Sequence, residues 1–521
     1  MGCHPERSEG SLSMGSEMLR CAQHDNASFD RYTHYRGGIP FIKGVEMKLI
    51  VLGGGPAGLT AALQARELQA EVTLLESKRV GGTSINEGPA PVRTLARAAR
   101  LARDAGSWET FGLKGARPEI DLAAVLANAR RVALYAHEKK HLAESIRSTG
   151  IELIEGAGRA RFLNQHTVGV ADGRTWQAEK IIIAVGGRGR ILPIPGAEMG
   201  LTYNDIWSLK QLPTTVAVVG GAATGCQLAS ILEDFGCQVY LLELAPRLVS
   251  QEDEDISVAL ADAFQKQGMT VITGAGTEGL EKIDGRIRLH YRKQERSASL
   301  TVDAVFFATG WPGNVDALNL AAAGVVTERS YIPVNDYLQS NVSHIFAAGD
   351  INGQSMLVQS ARYEGRIAAE NAVFGPYHRF THEIVPSGSF TDPEYASVGL
   401  TEAQARQQYD CAVAVVQYAD LLRPVVDAHP EGFCKLIIER RHRYILGAHV
   451  IGEYSVEIIQ MVAACMASGM RVEQLAELQL ATPTFTEAVG MAAQKLVREL
   501  GLAPLPQLRS DIKLPLVQLS Q

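Results

Sequence analysis

Lys48-Leu49-Ile50-Val51-Leu52 runs into Gly53-Gly54-Gly55-Pro56-Ala57-Gly58, and Leu59-Thr60-Ala61-Ala62-Leu63 follows. The first stretch reads as a buried strand, the glycines as a turn, and the Ala- and Leu-rich stretch as a helix. In this pattern Gly53 permits the tight turn and Gly55 lets the backbone approach a pyrophosphate. Gly58 allows the helix to pack closely on the sheet. The helix N-terminus then offers unpaired N–H groups to phosphates. A second strand, Glu71-Val72-Thr73-Leu74-Leu75, ends in Glu76, placed to grip a ribose hydroxyl. A glycine fingerprint alone is weak; strand, helix, second strand and terminal acid together specify a dinucleotide fold.

The unit recurs. Val216-Ala217-Val218-Val219 leads into Gly220-Gly221-Ala222-Ala223-Thr224-Gly225, a helix through Leu232, and a strand Val239-Tyr240-Leu241-Leu242 ending in Glu243. Ala222 stands where the second glycine would, so a pyrophosphate here meets a methyl group. The carboxylate of Glu243 accepts from a free 2′-hydroxyl but repels a 2′-phosphate, which predicts NADH over NADPH. Arg247, a few residues on, is placed to soften that preference.

Working outward, 521 residues are too many for one core and predict roughly three or four domains. A net charge of -7 and an isoelectric point near 6.0 argue against nucleic-acid or anionic-membrane partners. No apolar run is long enough to span a membrane, and no signal peptide opens the chain. Seven cysteines without regular spacing read as free thiols in a reducing cytoplasm. Residues 1–46 are rich in Ser, Arg, Gly and His without helix or strand period, and read as a disordered extension or a misassigned start. Cys3, His4, Cys21 and His24 fit no common zinc spacing, so no metal site is expected. Glu6 spoils a myristoylation signal.

Further motifs carry a resemblance. Lys180-Ile181-Ile182-Ile183-Ala184-Val185 meets Gly186-Gly187, and Val305-Phe306-Phe307-Ala308-Thr309 meets Gly310. His344-Ile345-Phe346-Ala347-Ala348-Gly349 ends in Asp350. Phe390-Thr391-Asp392-Pro393-Glu394, Ser397-Val398-Gly399-Leu400-Thr401-Glu402 and Ile445-Leu446-Gly447-Ala448-His449 follow in order. With these motifs the chain from Met47 to Leu502 resembles the pyridine nucleotide–disulfide oxidoreductases, the group of dihydrolipoamide dehydrogenase, glutathione reductase and mercuric reductase.

The resemblance implies an α/β fold with two Rossmann-like domains, the NAD domain inserted in a split FAD domain, and an α+β C-terminal dimerisation domain. The expected boundaries are 47–190 and 313–383 for FAD, 191–312 for NAD(P), 384–505 for the interface and 506–521 for a tail. It implies FAD contacts from Gly53, Gly55, Pro56, Ala57, Gly58, Glu76, Gly82, Thr83 and Gly186. Asp350 is expected on the ribityl chain, and Met356 and Leu357 against the flavin ring. NAD contacts are implied for Gly220, Gly221, Gly225, Glu243 and Gly310. Trp311 and Gly313 depart from the family's Arg and Pro. The helix from Val456 to Met466, apolar at Ile458, Ile459, Val462 and Met466, reads as core and dimer contact. A homodimer is implied.

Against this background the departures are informative. The family carries a glycine pair and then two cysteines four residues apart, which relay electrons as a disulfide. Here the stretch reads Gly81-Gly82-Thr83-Ser84-Ile85-Asn86-Glu87-Gly88-Pro89, with Ser84 and Pro89 at the cysteine positions. Neither makes a thiolate or a disulfide. The family's C-terminal His, which serves the interchange thiol, is matched by Thr482 in Thr482-Pro483-Thr484-Phe485-Thr486-Glu487. Threonine does not shuttle protons near neutral pH, and Glu487 is expected to have lost the His it would orient. The family's Lys and Glu beside the flavin are matched by Arg93 and Gln227, a positive charge without its carboxylate, which favours an anionic reduced flavin.

These readings predict a cytoplasmic FAD-dependent NAD(P)H oxidoreductase, NADH preferred, that passes electrons to a small non-disulfide acceptor such as a quinone. Two alternatives stand beside it. One is a catalytically silent flavoprotein serving as sensor or scaffold. The other is a disulfide reductase with displaced thiols, for which Cys226, Cys237 and Cys434 are the candidates.

Overall fold

Leu49 and Val51 enter one hydrophobic cluster of the first sheet while Ile50 and Leu52 enter another on its opposite face. That alternation is the two-residue strand period with both faces covered, the condition that makes parallel strands read as continuous apolar runs. The computed structural model describes residues 47–381 and 383–503. Expectations for residues 1–46 and for the tail from 506 fall outside the described residues. The chain divides into two units. The first comprises the chain to Leu95, Ala123–Gly189 and Trp311–Thr381; the second comprises Ala96–Leu122, Arg190–Gly310 and the chain from His382.

In the first unit five parallel strands stand in the order Ile345–Ala347, Lys180–Ile183, Lys48–Leu52, Glu71–Glu76, Glu152–Glu155. The Lys48–Leu52 strand is central, in register with Glu71–Leu75 on one side and Lys180–Ile183 on the other. The helix Pro56–Glu67 leaves the glycine turn and packs on the helix Val358–Phe374. Gly365 makes that approach possible, since a Cβ there would lie 2.1 Å from the Ala57 carbonyl oxygen. A small antiparallel sheet, Arg161–Asn164, Thr167–Gly169 and Thr175–Gln177, flanks the main one.

The second unit holds another parallel sheet, ordered Thr270–Thr273, Gln238–Glu243, Thr215–Val219, Ala304–Phe307, Leu201–Thr202. The helix after its glycine turn runs Ala223–Asp234, slightly beyond the expected Leu232. A second module of this unit is an antiparallel sheet, ordered Ser387–Ser389, Tyr395–Gly399, Ile445–Ile451, Phe433–Glu439, Cys411–Gln417. On it pack the helices Ser455–Ala467 and Glu487–Glu499, burying Ile458, Ile459 and Val462 as the helical spacing predicts. The two modules are tied by an ionic knot. The ammonium of Lys435, only 3% exposed, donates to Asp253 Oδ1 and Glu402 Oε2 at 2.7 Å each, and Asp255 Oδ2 lies 2.6 Å away. Three carboxylates repay the cost of burying one ammonium.

Candidate functional site: two dinucleotide cradles

The two glycine turns are built by the same contacts. Gly53 has φ +101 and Gly220 φ +110. A Cβ on Gly53 would lie 2.3 Å from the Ala184 carbonyl oxygen, and one on Gly220 2.4 Å from that of Ala308. Gly58 and Gly225 are tighter still, 1.8 Å and 1.7 Å from the carbonyl oxygens of Gly53 and Gly220. These four glycines are demanded by the backbone of the fold itself. Both helices start without a side-chain cap, from Gly55 and Ala222 in extended conformation, so their first N–H groups remain for an anion.

The acids at the strand ends also match. Glu76, 9% exposed, accepts from Gly54 N at 2.7 Å and from Lys78 N at 2.8 Å. Glu243 accepts from Gly221 N and, at 2.7 Å, from Ala245 N. Each carboxylate is thus fixed by two amides, one per oxygen, and Glu76 Oε1 also accepts from Ser77 Oγ at 3.4 Å. Arg247, expected to soften the coenzyme preference, is engaged with the protein. Its guanidinium donates to the Glu252 and Ser250 carbonyls, at 2.9 Å and 2.8 Å, and to Ser257 Oγ.

The first cradle has a lid that the second lacks. The short helix Gly82–Asn86 brings Gly82 over the turn, where a Cβ on Gly82 would lie 2.6 Å from Gly55 Cα. A Cβ on Gly55 would meet only Gly82 Cα, at 3.8 Å. The space beside Gly55 is therefore not filled by the protein. Asn86 anchors this helix: its amide donates to the Arg79 and Val80 carbonyls at 3.2 Å, and its Oδ1 lies 2.9 Å from His137 Nε2. Burial, aided by Arg79, lowers the His137 pKa, so the ring favours its neutral form. Thr83 turns the chain onward, its carbonyl accepting from Glu87 N and Gly88 N. Pro89 then opens the helix Pro89–Asp104.

Asp350 sits three residues past the Ile345–Ala347 strand, correcting the reading of a strand ending in the acid, and it opens a turn after Gly349 at φ +77. Gly349 packs on Ala57, which brings the acid's loop to the Gly53 turn. Burial pushes the Asp350 carboxyl up to about 6, opposed by the Trp311 indole N–H and reinforced by Glu364. Leu357 caps the Val358–Phe374 helix and Met356 is exposed. Gly186 adopts φ +66, with no atom near a Cβ there. Gly310, at φ +123, has only Arg190 near by.

Two supports escaped sequence reading. Asn314 donates from Nδ2 to the Val185 and Gly187 carbonyls, at 2.9 Å and 3.1 Å, and from its backbone to Gly186 O at 3.0 Å. Glu364, fully buried, accepts from Gly349 N and Asn352 Nδ2, both at 2.6 Å. A lone Asn in a loop and a lone Glu in a helix carry no local signal of such roles.

The residues expected nearest the chemistry are distributed as follows. Arg93 lies in the first unit and Gln227 in the second, where Gln227 Oε1 accepts from Phe390 N at 3.1 Å. Glu487 is not left idle by the missing His. It accepts the Thr482 hydroxyl and, at 2.8 Å, the Thr484 amide, closing the loop before its own helix. Among the described residues every cysteine belongs to the second unit and is buried: Cys226, Cys237, Cys411, Cys434 and Cys465. Burial pushes the thiols of Cys237 and Cys434 up to about 12 and raises those of Cys226 and Cys465. No helix of the described residues is long and apolar enough to cross a membrane, and no cluster of metal-ligating side chains occurs among them.

The family description "Pyridine nucleotide-disulphide oxidoreductase" matches residues 47–365, and its dimerisation domain matches 385–493. Mercuric reductase of Bacillus cereus is 32% identical over 448 residues, covering 85% of this chain and 70% of that protein. Dihydrolipoyl dehydrogenase of Zymomonas mobilis is 31% identical over 450 residues, 85% of this chain and 96% of that one. Among solved structures, the HOCl-induced flavoprotein disulfide reductase RclA of Escherichia coli aligns with TM-score 0.76 and 26% identity, over 86% of this chain and 99% of that one. LpdA of Mycobacterium tuberculosis, TM-score 0.79 at 23% identity, covers 86% of this chain and 99% of that one and supports the fold alone.

Proposed function

Since this chain belongs to the pyridine nucleotide–disulphide oxidoreductases, we propose that it oxidises NADH through FAD and reduces a small acceptor that is not a disulfide. Members of the family bind FAD and use NAD(P)H, and the dimerisation domain fits a homodimer. The relatives named above include a mercuric reductase, a dihydrolipoyl dehydrogenase and a flavoprotein disulfide reductase, so the acceptor assignment rests on this chain's own residues. One observation carries it: the unit with the FAD-type cradle contains no cysteine among its described residues, and Ser84 and Pro89 stand where the relay thiols would be. Buried thiols of raised pKa in the other unit are poor nucleophiles.

In this reading the Gly53–Gly58 turn and Glu76 hold the adenosine and pyrophosphate of FAD, and Asp350 accepts from its ribityl chain. Glu243 accepts from the ribose of NADH. Bound FAD supplies two-electron chemistry, taking hydride from the nicotinamide and yielding two electrons and a proton to the acceptor. The protein's part is to orient and to supply charge: Arg93 is proposed to favour the negative charge that hydride transfer places beside it. Glu487 serves to shape the Thr482–Thr484 loop rather than to hold a proton shuttle. The proposed domain limits are 47–190 and 313–383 for FAD, 191–312 for NAD and 384–505 for the interface.

Anaerobic titration tests the reading. One equivalent of NADH should bleach the flavin with no thiolate-to-flavin band, and dithionite alone should do the same. Quinone or dye reduction should survive alkylation of all thiols, while lipoamide, oxidised glutathione and mercuric ion turn over negligibly. Lipoamide turnover abolished by alkylation would return the reading to displaced thiols; a flavin that NADH fails to bleach would return it to a silent flavoprotein.

A further inference from the structure

In the parallel sheet of the second unit the strands Gln238–Glu243, Thr215–Val219 and Ala304–Phe307 are consecutive neighbours. Glu243 ends the first of them, and the Gly220–Gly225 turn follows the second. A dinucleotide whose adenosine ribose meets Glu243 and whose pyrophosphate meets the turn extends its nicotinamide half over the end of the third. That end, Ala308-Thr309-Gly310, is held against the turn. Ala308 N donates to Val219 O at 2.8 Å, and a Cβ on Gly220 would lie 2.4 Å from the Ala308 oxygen.

Arg190 lies over this same strand end. Its N donates to Gly310 O at 3.1 Å, and Thr309 Oγ1 donates to Arg190 O, also at 3.1 Å. Two hydrogen bonds thus fix its backbone, while its side chain covers the open face of Gly310. A Cβ on Gly310 would have Arg190 Nε at 3.8 Å and Cζ at 3.9 Å. Both residues are exposed. Among the described residues the guanidinium has no hydrogen-bond or ion-pair partner.

We propose that Arg190 binds the phosphate on the nicotinamide side of the coenzyme, a contact that rests on the reading of the second cradle as the NADH site. Charge balance favours it. The turn from Gly220 to Gly225 carries no charged side chain, and Glu243 brings a negative charge to it through the Gly221 amide. Arg247 directs its guanidinium to Ser250, Ser257 and Glu252. The uncapped start of the helix Ala223–Asp234 offers N–H groups and a partial positive charge to a pyrophosphate. Arg190 adds a full cation at the neighbouring strand end. Its planar fork suits two phosphate oxygens at once, and its engagement breaks no hydrogen bond within the described residues. Glu243 then serves the adenosine end of the coenzyme and Arg190 the nicotinamide end.

The test is calorimetric binding of NAD+, nicotinamide mononucleotide and AMP to the oxidised full-length flavoprotein, which needs no turnover. Arg190→Gln should weaken NAD+ and the mononucleotide by the same factor, about tenfold, and leave AMP unchanged. Arg190→Lys keeps the charge without the fork and should lose about threefold. Added salt should weaken NAD+ less in the Gln variant than in the wild type, since a screened cation has been removed. Glu243→Gln should do the converse, weakening NAD+ and AMP but not the mononucleotide. If Glu243→Gln behaves so while Arg190→Gln binds the mononucleotide as the wild type does, or loses AMP equally, the role of Arg190 alone is overturned. If the wild type binds none of the three, the second cradle is not the coenzyme site and the proposal falls with it. Should the Gln variant not fold, wild-type affinity for the mononucleotide with an unchanged salt response in Arg190→Ala overturns the role equally.

Discussion

The two glycine turns of this chain agree to within about a tenth of an ångström where the protein touches itself and differ where a ligand would. Gly53 matches Gly220 in φ, and the distances a Cβ on Gly53 or Gly58 would make to carbonyl oxygens match those at Gly220 and Gly225. The position proposed to face the ligand is Gly55 in one and Ala222 in the other, and among the described residues a second glycine, Gly82, closes over the first turn. The lesson is that two kinds of glycine share one fingerprint. Some are imposed by strand, turn and helix sterics whatever is bound. Others exist to leave room, and these can drift when the demand for close approach relaxes.

Gly58→Ala and Gly225→Ala put a methyl within 2 Å of a carbonyl oxygen in each turn and are expected to cost about 3 kcal/mol or more. The readouts should diverge: Gly58→Ala purifies colourless or insoluble, whereas Gly225→Ala stays yellow but is no longer bleached by NADH. Loss of flavin in both would break the assignment of one nucleotide to each turn. Gly55→Ala adds a methyl that meets protein only at 3.8 Å, so FAD affinity should fall about tenfold with an unchanged melting temperature. A melting temperature that falls in parallel would show that the methyl strikes the protein instead.

Glu243→Gln should narrow the NADH-over-NADPH ratio of kcat/KM by about fivefold, since an amide no longer repels a 2′-phosphate. A ratio unmoved by this change would assign the preference to another residue. Ala222→Gly should tighten NADH by about twofold at most, because the methyl is exposed and the approach is already tolerated. Arg247→Ala closes the series: it loses three hydrogen bonds to Ser250, Ser257 and Glu252 and some stability, with the coenzyme ratio unchanged. A marked swing of that ratio toward NADH would show that Arg247 reaches the 2′ position after all.

Much of this was legible in the sequence for a physical reason. Strand alternation, glycine turns and acid-ended strands are consequences of backbone sterics and nearest-neighbour periodicity, so Lys48–Leu52 with Glu76, and Thr215–Val219 with Glu243, can be read without coordinates. The absent thiols are likewise a matter of residue identity: Ser84 and Pro89 lack the chemistry in any conformation. Side-chain partnership across long separations is another matter. The sequence did not show that the guanidinium of Arg247 is engaged with carbonyls of the next loop, nor that Glu487, without a His to orient, accepts from Thr482 and the Thr484 amide.

By itself, then, the sequence determined the two dinucleotide folds, their order along the chain and that Ser84 and Pro89 carry no thiol, because each depends on local pattern or on residue identity. Only the tertiary structure decided what holds the cradles in shape. Asn314 reaches back 129 positions to the Val185 carbonyl, Glu364 fixes the Gly349 amide from a helix, and Trp311 fills the space that Gly187 leaves open. Such pairings follow from which surfaces the packed sheets and helices bring together. A buried donor or acceptor must be satisfied by whatever lies within about 3 Å, however distant in sequence.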